Sequence, residues 1–357
     1  MTTITPGPLR DAAERTPTAL WNDSSDLEEL TQSIAMGAVG ATCNPTIAYT
    51  TLKKHPDIWA PRIKQIAKDM PEASEAEIGW KAVADMSVEA AKLLEPAFEE
   101  SKGRNGRLSV QTDPRHYRNW KALADQAVEF DKLAKNIIVK IPATSVGLKA
   151  IEDATYRGVT INVTVSFTVP QAVATAEAIQ RGLDRREAEG LDTSKMWPVV
   201  TLMVGRLDDW LKIVAERQGL VFNPGILEWA GIAAFKRAAE EFAKRGFKSR
   251  MLAAAFRNTM HYTELVGGDV VISPPFKWQK RVNDAGTPMV ERFDDPVPQE
   301  ILDQLLEIDE FRRAYEPDGM TPEEFDTFGA TVRTLRGFLA DDANLDALVR
   351  DIILPQP

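Results

Sequence analysis

The chain reads as a series of short apolar runs, each followed by a longer stretch with helical spacing. The clearest run is Asn136-Ile-Ile-Val-Lys-Ile-Pro-Ala-Thr144. It is too short for a helix and rich in β-branched residues, so it predicts a buried strand, ended by Pro142, which has no N–H for the ladder. Alternation sets Ile138 and Lys140 on one face and Ile137, Val139 and Ile141 on the other. A second run, Thr160-Ile-Asn-Val-Thr-Val-Ser-Phe167, turns Asn162, Thr164 and Ser166 one way and Ile161, Val163, Val165 and Phe167 the other. Between the two runs, about 146–157, Leu148, Ile151 and Ala154 mark a short amphipathic helix. Together these form a βαβ unit, whose parallel strands are normally covered on both faces. A polar row inside a covered sheet needs hydrogen-bonding work, and the axis of a (β/α)8 barrel is one interior that supplies it.

Eight candidate strands recur, near 18–23, 38–43, 107–112, 137–141, 159–166, 197–204, 250–256 and 269–273. Eight is the number a closed (β/α)8 TIM barrel requires. Their C-terminal ends or following turns carry Asp23, Asn44, Gln111, Lys140, Thr164, Arg206 and Arg257, so ionisable and polar groups recur at the height where such barrels do chemistry. An open doubly wound sheet is the alternative, but no Gly-x-Gly-x-x-Gly turn follows an early strand. The chain has 357 residues, whereas a plain barrel needs about 250. The surplus is expected in two places: a long helical stretch at about 58–101, between the second and third strands, and a tail from Phe276 that holds a Pro- and charge-rich loop followed by helices. Within that tail, Glu323 to Phe338 has helical apolar spacing, is expected to end near Gly337, and can fold back over the barrel. The expected organisation is one domain over 1–357, with the barrel at about 18–275 and a helical extension at about 276–357.

Composition narrows the function. A net charge of −10 and a pI near 5.1 argue against a nucleic-acid surface, which needs a basic patch, yet leave room for local arginines to bind an anionic substrate. The single cysteine, Cys43, excludes an intrachain disulfide and fits a reducing compartment. With no positioned histidine identifiable, Cys43 is not read as a nucleophile. His55, His116 and His261 lie far apart without ligand spacing, so no metal is expected. The start, Met-Thr-Thr-Ile-Thr-Pro, has no basic or apolar leader region, and no apolar run reaches membrane-spanning length; a cytoplasmic protein without a membrane partner is expected.

Lys140 raises the chemical question. An amine in a buried strand loses hydration, which disfavours its charged form and makes it a usable nucleophile toward a carbonyl. The alternative is a structural lysine paired with a carboxylate or reaching water from the strand end.

Several segments carry a family resemblance. Gly40-Ala-Thr-Cys-Asn-Pro-Thr-Ile47, which holds Thr42 and Asn44, resembles the Thr-x-Asn-Pro-Ser signature of transaldolases, and Ile138-Val-Lys-Ile-Pro-Ala-Thr144 resembles their Schiff-base lysine strand. Asp23 in Trp21-Asn-Asp-Ser24 resembles the first-strand aspartate, and Asn162 with Thr164 the fifth-strand Asn-x-Thr. Val204-Gly-Arg-Leu-Asp-Asp-Trp210 resembles the sixth-strand Val-Gly-Arg, Ala255-Phe-Arg-Asn258 the phosphate-binding Ser-Phe-Arg, and Gly268-Asp-Val-Val-Ile-Ser273 the eighth strand. The resemblance implies transfer of a dihydroxyacetone unit between sugar phosphates through a lysine imine, which serves as the electron sink without a cofactor. It gives Lys140 the imine, Asp23 the proton transfer at the C4 hydroxyl, and Asn44 and Asn162 the hydroxyls of the three-carbon unit, with Thr42 and Thr201 nearby. Thr164 would position a water, and Arg206 and Arg257 would bind phosphate. Either arginine could serve a structural salt bridge instead, Arg206 before Arg257. Asp23 has a helix-capping alternative in the run Asn22 to Asp26.

The departures matter too. Gln111 stands where transaldolases carry a glutamate; it can hold a water but cannot accept its proton, and it resembles the fructose-6-phosphate aldolases. Met203 stands where transaldolases have phenylalanine and those aldolases tyrosine, and Thr201 and Ala255 replace serines. A lyase or carboligase of the same imine family and a non-catalytic sugar-phosphate binder therefore stand as alternatives, and both monomer and homodimer stay open.

Overall fold

The structure is a computed structural model that describes residues 7–355. Met1 to Pro6, on which the leader reading rests, lie outside the described residues. All eight strands form: β1 (Ala19–Asn22), β2 (Ala38–Thr42), β3 (Arg107–Gln111), β4 (Ile137–Pro142), β5 (Ile161–Thr164), β6 (Val199–Leu202), β7 (Arg250–Ala254) and β8 (Val271–Ser273). They pair in parallel in sequence order and β8 returns to β1, so the sheet is a closed (β/α)8 barrel and the doubly wound alternative falls. Among the described residues, no helix is long and apolar enough to cross a membrane.

The two-residue period decides the layers. Ile137, Val139 and Ile141 join the large cluster between strands and helices, whereas Ile138 packs inside the barrel with Trp21, Val199, Leu252 and Val271. That apolar plug underlies the polar groups nearer the C-terminal mouth. It also explains Gly40, where an added Cβ would sit 2.5 Å from the Trp21 indole. The polar row of β5 is shorter than its sequence suggests: Val165 has φ 51, an uncommon and costly conformation for a β-branched residue, and the strand stops at Thr164 before Ser166.

The elaborations fall where expected but break differently. The long helical stretch at 58–101 is two helices, Pro56–Asp69 and Glu75–Glu100, preceded by Pro45–Lys54. The break is set locally, because Ser74 and Glu77 form a reciprocal capping box that starts the second helix. In the tail, Gly337 does not end a helix; the last one runs from Gly329 to Ile353, and the break lies earlier, after Pro322–Phe325. A mid-helix glycine costs roughly 1 kcal/mol, which is offset as Leu345 and Val349 enter an apolar cluster with Ile63, Ile78 and Val83. This C-terminal helix touches Thr46 just beyond β2, through Asp341, and Arg206 just beyond β6, through Phe338, so it lies across the C-terminal mouth of the barrel. Nothing lies within 4 Å of a Cβ built on Gly337. Gly337→Ala is therefore expected to raise stability by about 0.5–1 kcal/mol, read as a higher urea midpoint at unchanged slope.

Candidate active site

Lys140 points into the barrel near the end of β4 and is 5% exposed. In register it lies between Gln111 on β3 and Asn162 on β5. No carboxylate pairs with it and no side chain hydrogen-bonds it among the described residues, so the structural ion pair does not apply. Burial pulls the amine below the ordinary lysine value of 10.5; the Asp23 carboxylate opposes this in part and the Arg206 guanidinium reinforces it. Cys43 is also buried, and desolvation pushes its thiol up to about 11, which keeps it neutral and unreactive at neutral pH.

The groups around the amine are held by their neighbours. Asp23 follows β1, is half-buried, and accepts a hydrogen bond from Thr42 Oγ1 at 2.6 Å. It is not a helix cap: Asp26 takes that role, accepting from the Glu28 and Glu29 N–H groups. Asn162 is fully buried; its Nδ2 donates to Ser109 Oγ at 3.0 Å and its Oδ1 accepts from Thr201 Oγ1 at 2.7 Å. Thr201 thus orients Asn162. Thr164 ends β5 on the same inward face, opposite Pro142. Asn44 caps the helix Pro45–Lys54 by accepting from the Ile47 N–H at 3.0 Å, which leaves its Nδ2 for a ligand. Met203 sits at the end of β6, buried in the apolar cluster and offering no polar contact.

Arg206 and Arg257 line a pocket of about 430 Å3 together with Arg333 and Arg336 of the C-terminal helix. The structural ion pair falls on Arg257, not on Arg206 as the sequence suggested: Arg257 Nε meets Asp209 Oδ2 at 2.8 Å. Arg206 lies under Phe338, its guanidinium 5.3 Å from the ring centroid, and has no ion pair among the described residues. Burial and the neighbouring Arg257 both push it below the ordinary arginine value. His261 is a buried hydrogen-bonding residue: Nδ1 accepts from the Arg257 N–H at 3.1 Å and Nε2 meets Asp208 Oδ2 at 2.9 Å. Arg333 and Arg336 were not singled out from sequence, although their three-residue spacing puts both on one side of a helix already expected over the barrel. No group of three or more His, Cys, Asp or Glu side chains converges as a metal site among the described residues. A desolvated amine beside a carboxylate, with amide donors and a cationic pocket further out, suits carbonyl chemistry on an anionic polyol.

Residues 20–327 match a family model described as Transaldolase/Fructose-6-phosphate aldolase. A Transaldolase 2 of Streptomyces avermitilis is 28% identical over 287 residues, covering 72% of this chain and 76% of the relative. A Transaldolase of Mycobacterium ulcerans is 28% identical, covering 74% and 75%. One from Thiobacillus denitrificans is 26% identical, covering 71% and 76%.

Proposed function

The chain belongs to the transaldolase/fructose-6-phosphate aldolase family, and on that premise we propose that it moves a dihydroxyacetone unit from a ketose phosphate to an aldose or aldose phosphate through an imine on Lys140. The observation that carries this reading is a lysine 5% exposed, without a counterion among the described residues, set between Gln111 and Asn162. Its neutral amine attacks the ketose carbonyl and water leaves, giving the imine. Asp23 then takes the C4 hydroxyl proton as the C3–C4 bond breaks, the aldehyde departs, and the electron pair rests on the imine as an enamine. Addition to the acceptor aldehyde reverses these steps, and hydrolysis with a water positioned by Thr164 frees Lys140. The Nδ2 groups of Asn44 and Asn162 hold the hydroxyls of the three-carbon unit, and the arginine pocket holds the phosphate. Soluble carbohydrate metabolism in the cytoplasm fits this reading.

Gln111 favours a second reading, simple aldol cleavage, because a carboxamide at that place cannot accept a proton. The two separate in one assay. With fructose 6-phosphate, glyceraldehyde 3-phosphate release is expected to require erythrose 4-phosphate; equal release without it would make the protein a lyase. A non-catalytic binder has no use for an unpaired buried amine. Arg206→Ala is expected to raise KM for the phosphorylated donor about 10–100-fold, the loss of a charge-assisted contact. KM for unphosphorylated fructose should stay put, and an equal rise for both sugars would remove Arg206 from the phosphate site.

A further inference from the structure

Three buried polar atoms make no well-formed hydrogen bond among the described residues and belong to side chains lining one small cavity beside the catalytic face: Trp80 Nε1, Gln111 Oε1 and Asp342 Oδ1, with the Trp80 indole near enough to the Asp342 carboxyl to favour its ionised form. They come from three elements far apart in sequence, the helix Glu75–Glu100, the end of β3 and the C-terminal helix. Gln111 and Asp342 are 3% and 1% exposed, so bulk water does not serve them. Apart from Asn44, the rest of the wall is apolar, chiefly Cys43, Val83, Val110 and Leu345. The cavity leaves about 10 Å3 for the centre of a small molecule. That is near the lower limit for one water, which needs roughly 10–15 Å3 and two to four polar partners.

We propose that this cavity binds a single water molecule, which links the Asp342 carboxyl to the Gln111 carboxamide and makes Asp342 a positioning residue of the catalytic site. The hydrogen bonds balance. With Asp342 ionised, the Trp80 indole donates to the water oxygen and the two water hydrogens go to Gln111 Oε1 and Asp342 Oδ1; burial and the neighbouring Asp113 push the Asp342 carboxyl up to about 7, so this arrangement belongs to the pH range above that value. Asp342 is fixed from its other side, where Oδ2 meets Arg115 Nε at 2.8 Å, and Arg115 also binds Asp113 and Asp346. A carboxamide alone can turn either end inward; a water shared with a fixed carboxylate selects the oxygen. The Gln111 Nε2 is then left for the barrel side, where Lys140 is the register partner of Gln111. The chain thus replaces a carboxylate on β3 with a glutamine whose orientation is set by a carboxylate on the C-terminal helix.

The kinetic arm of the test rests on the imine reading above; the water itself does not. A crystal structure of the full chain is expected to show one ordered water bonded to all three atoms, and a dry or differently bonded cavity would overturn the proposal. Asp342→Leu is expected to lower kcat about ten-fold, leave KM for the phosphorylated donor within about two-fold, and lower kcat less than about two-fold further in a Gln111→Ala background. Asp342→Asn, whose single oxygen faces Arg115 and whose amide donates to the water, still leaves a water hydrogen for Gln111 Oε1 and should recover most of kcat. Equal losses in both backgrounds would mean that Asp342 does not act through Gln111. Should Asp342→Leu not fold, Trp80→Phe removes the indole donor without touching Arg115, and the same non-additivity is expected. If borohydride captures no imine on wild-type Lys140, the reading of function fails while the crystallographic arm still decides this proposal.

Discussion

Lys140→Met is expected to lose turnover by at least about 10^4-fold, as removal of a covalent nucleophile does elsewhere, and to keep its fold. The side chain is 5% exposed and its amine has no partner among the described residues. An apolar group of similar length removes a desolvation penalty and leaves no charge orphaned. The variant should therefore melt no lower than wild type, which separates a chemical role from a structural one: a structural lysine would take Tm down with activity. The pH dependence has a definite sign. Burial lowers the Lys140 pKa below 10.5, so the neutral, reactive amine gains population as pH rises and reaches its plateau earlier than a solvated lysine would. The rate of imine capture against pH should have its midpoint below 10.5. Turnover at a tenth of wild type in Lys140→Met would end the imine account.

Asp23→Asn is expected to cut kcat by about 10^2–10^4-fold while leaving imine formation in place, the size of effect general acid–base groups have. Asn keeps an oxygen that can accept the 2.6 Å hydrogen bond from Thr42 Oγ1, so the side chain stays placed while the base is lost. Because Asp23 does not cap a helix, stability should change little. With the donor present, the covalent adduct on Lys140 should accumulate, since cleavage and not attachment is blocked. Single-turnover mixing followed by intact mass reads this directly. Loss of the adduct together with turnover would move Asp23 from bond cleavage to imine formation.

Much of this was legible in the chain. Short apolar runs, each followed by a helical pattern, announced eight strands, and alternation along β4 separated Lys140 and Ile138 from Ile137, Val139 and Ile141, two faces that the barrel turns inside and outside. Lys140 stood out because a cation in an apolar run is costly unless it has work to do. What was not legible depends on packing between distant elements. Which arginine pairs with Asp209 is settled by where β7 and the helix Val204–Gln218 meet, and neither sequence neighbourhood reveals it. Gly337 reads as a stop, yet tertiary contacts further along carry the helix through it. The left-handed backbone at Val165 runs against that residue's own preference, so only the closed barrel discloses it. Trp80, Gln111 and Asp342 share a cavity only after the C-terminal helix crosses the mouth. Arg333 and Arg336 lie in a helix that the apolar spacing predicts, but that spacing marks only its buried face and carries no signal for what the polar face meets.

The most direct test of the imine is borohydride reduction of the wild-type protein with fructose 6-phosphate, followed by peptide mass spectrometry. The account predicts one added dihydroxyacetone or hexose phosphate unit, on the peptide that carries Lys140. No adduct, or an adduct on a different lysine with Lys140 unmodified, would contradict it.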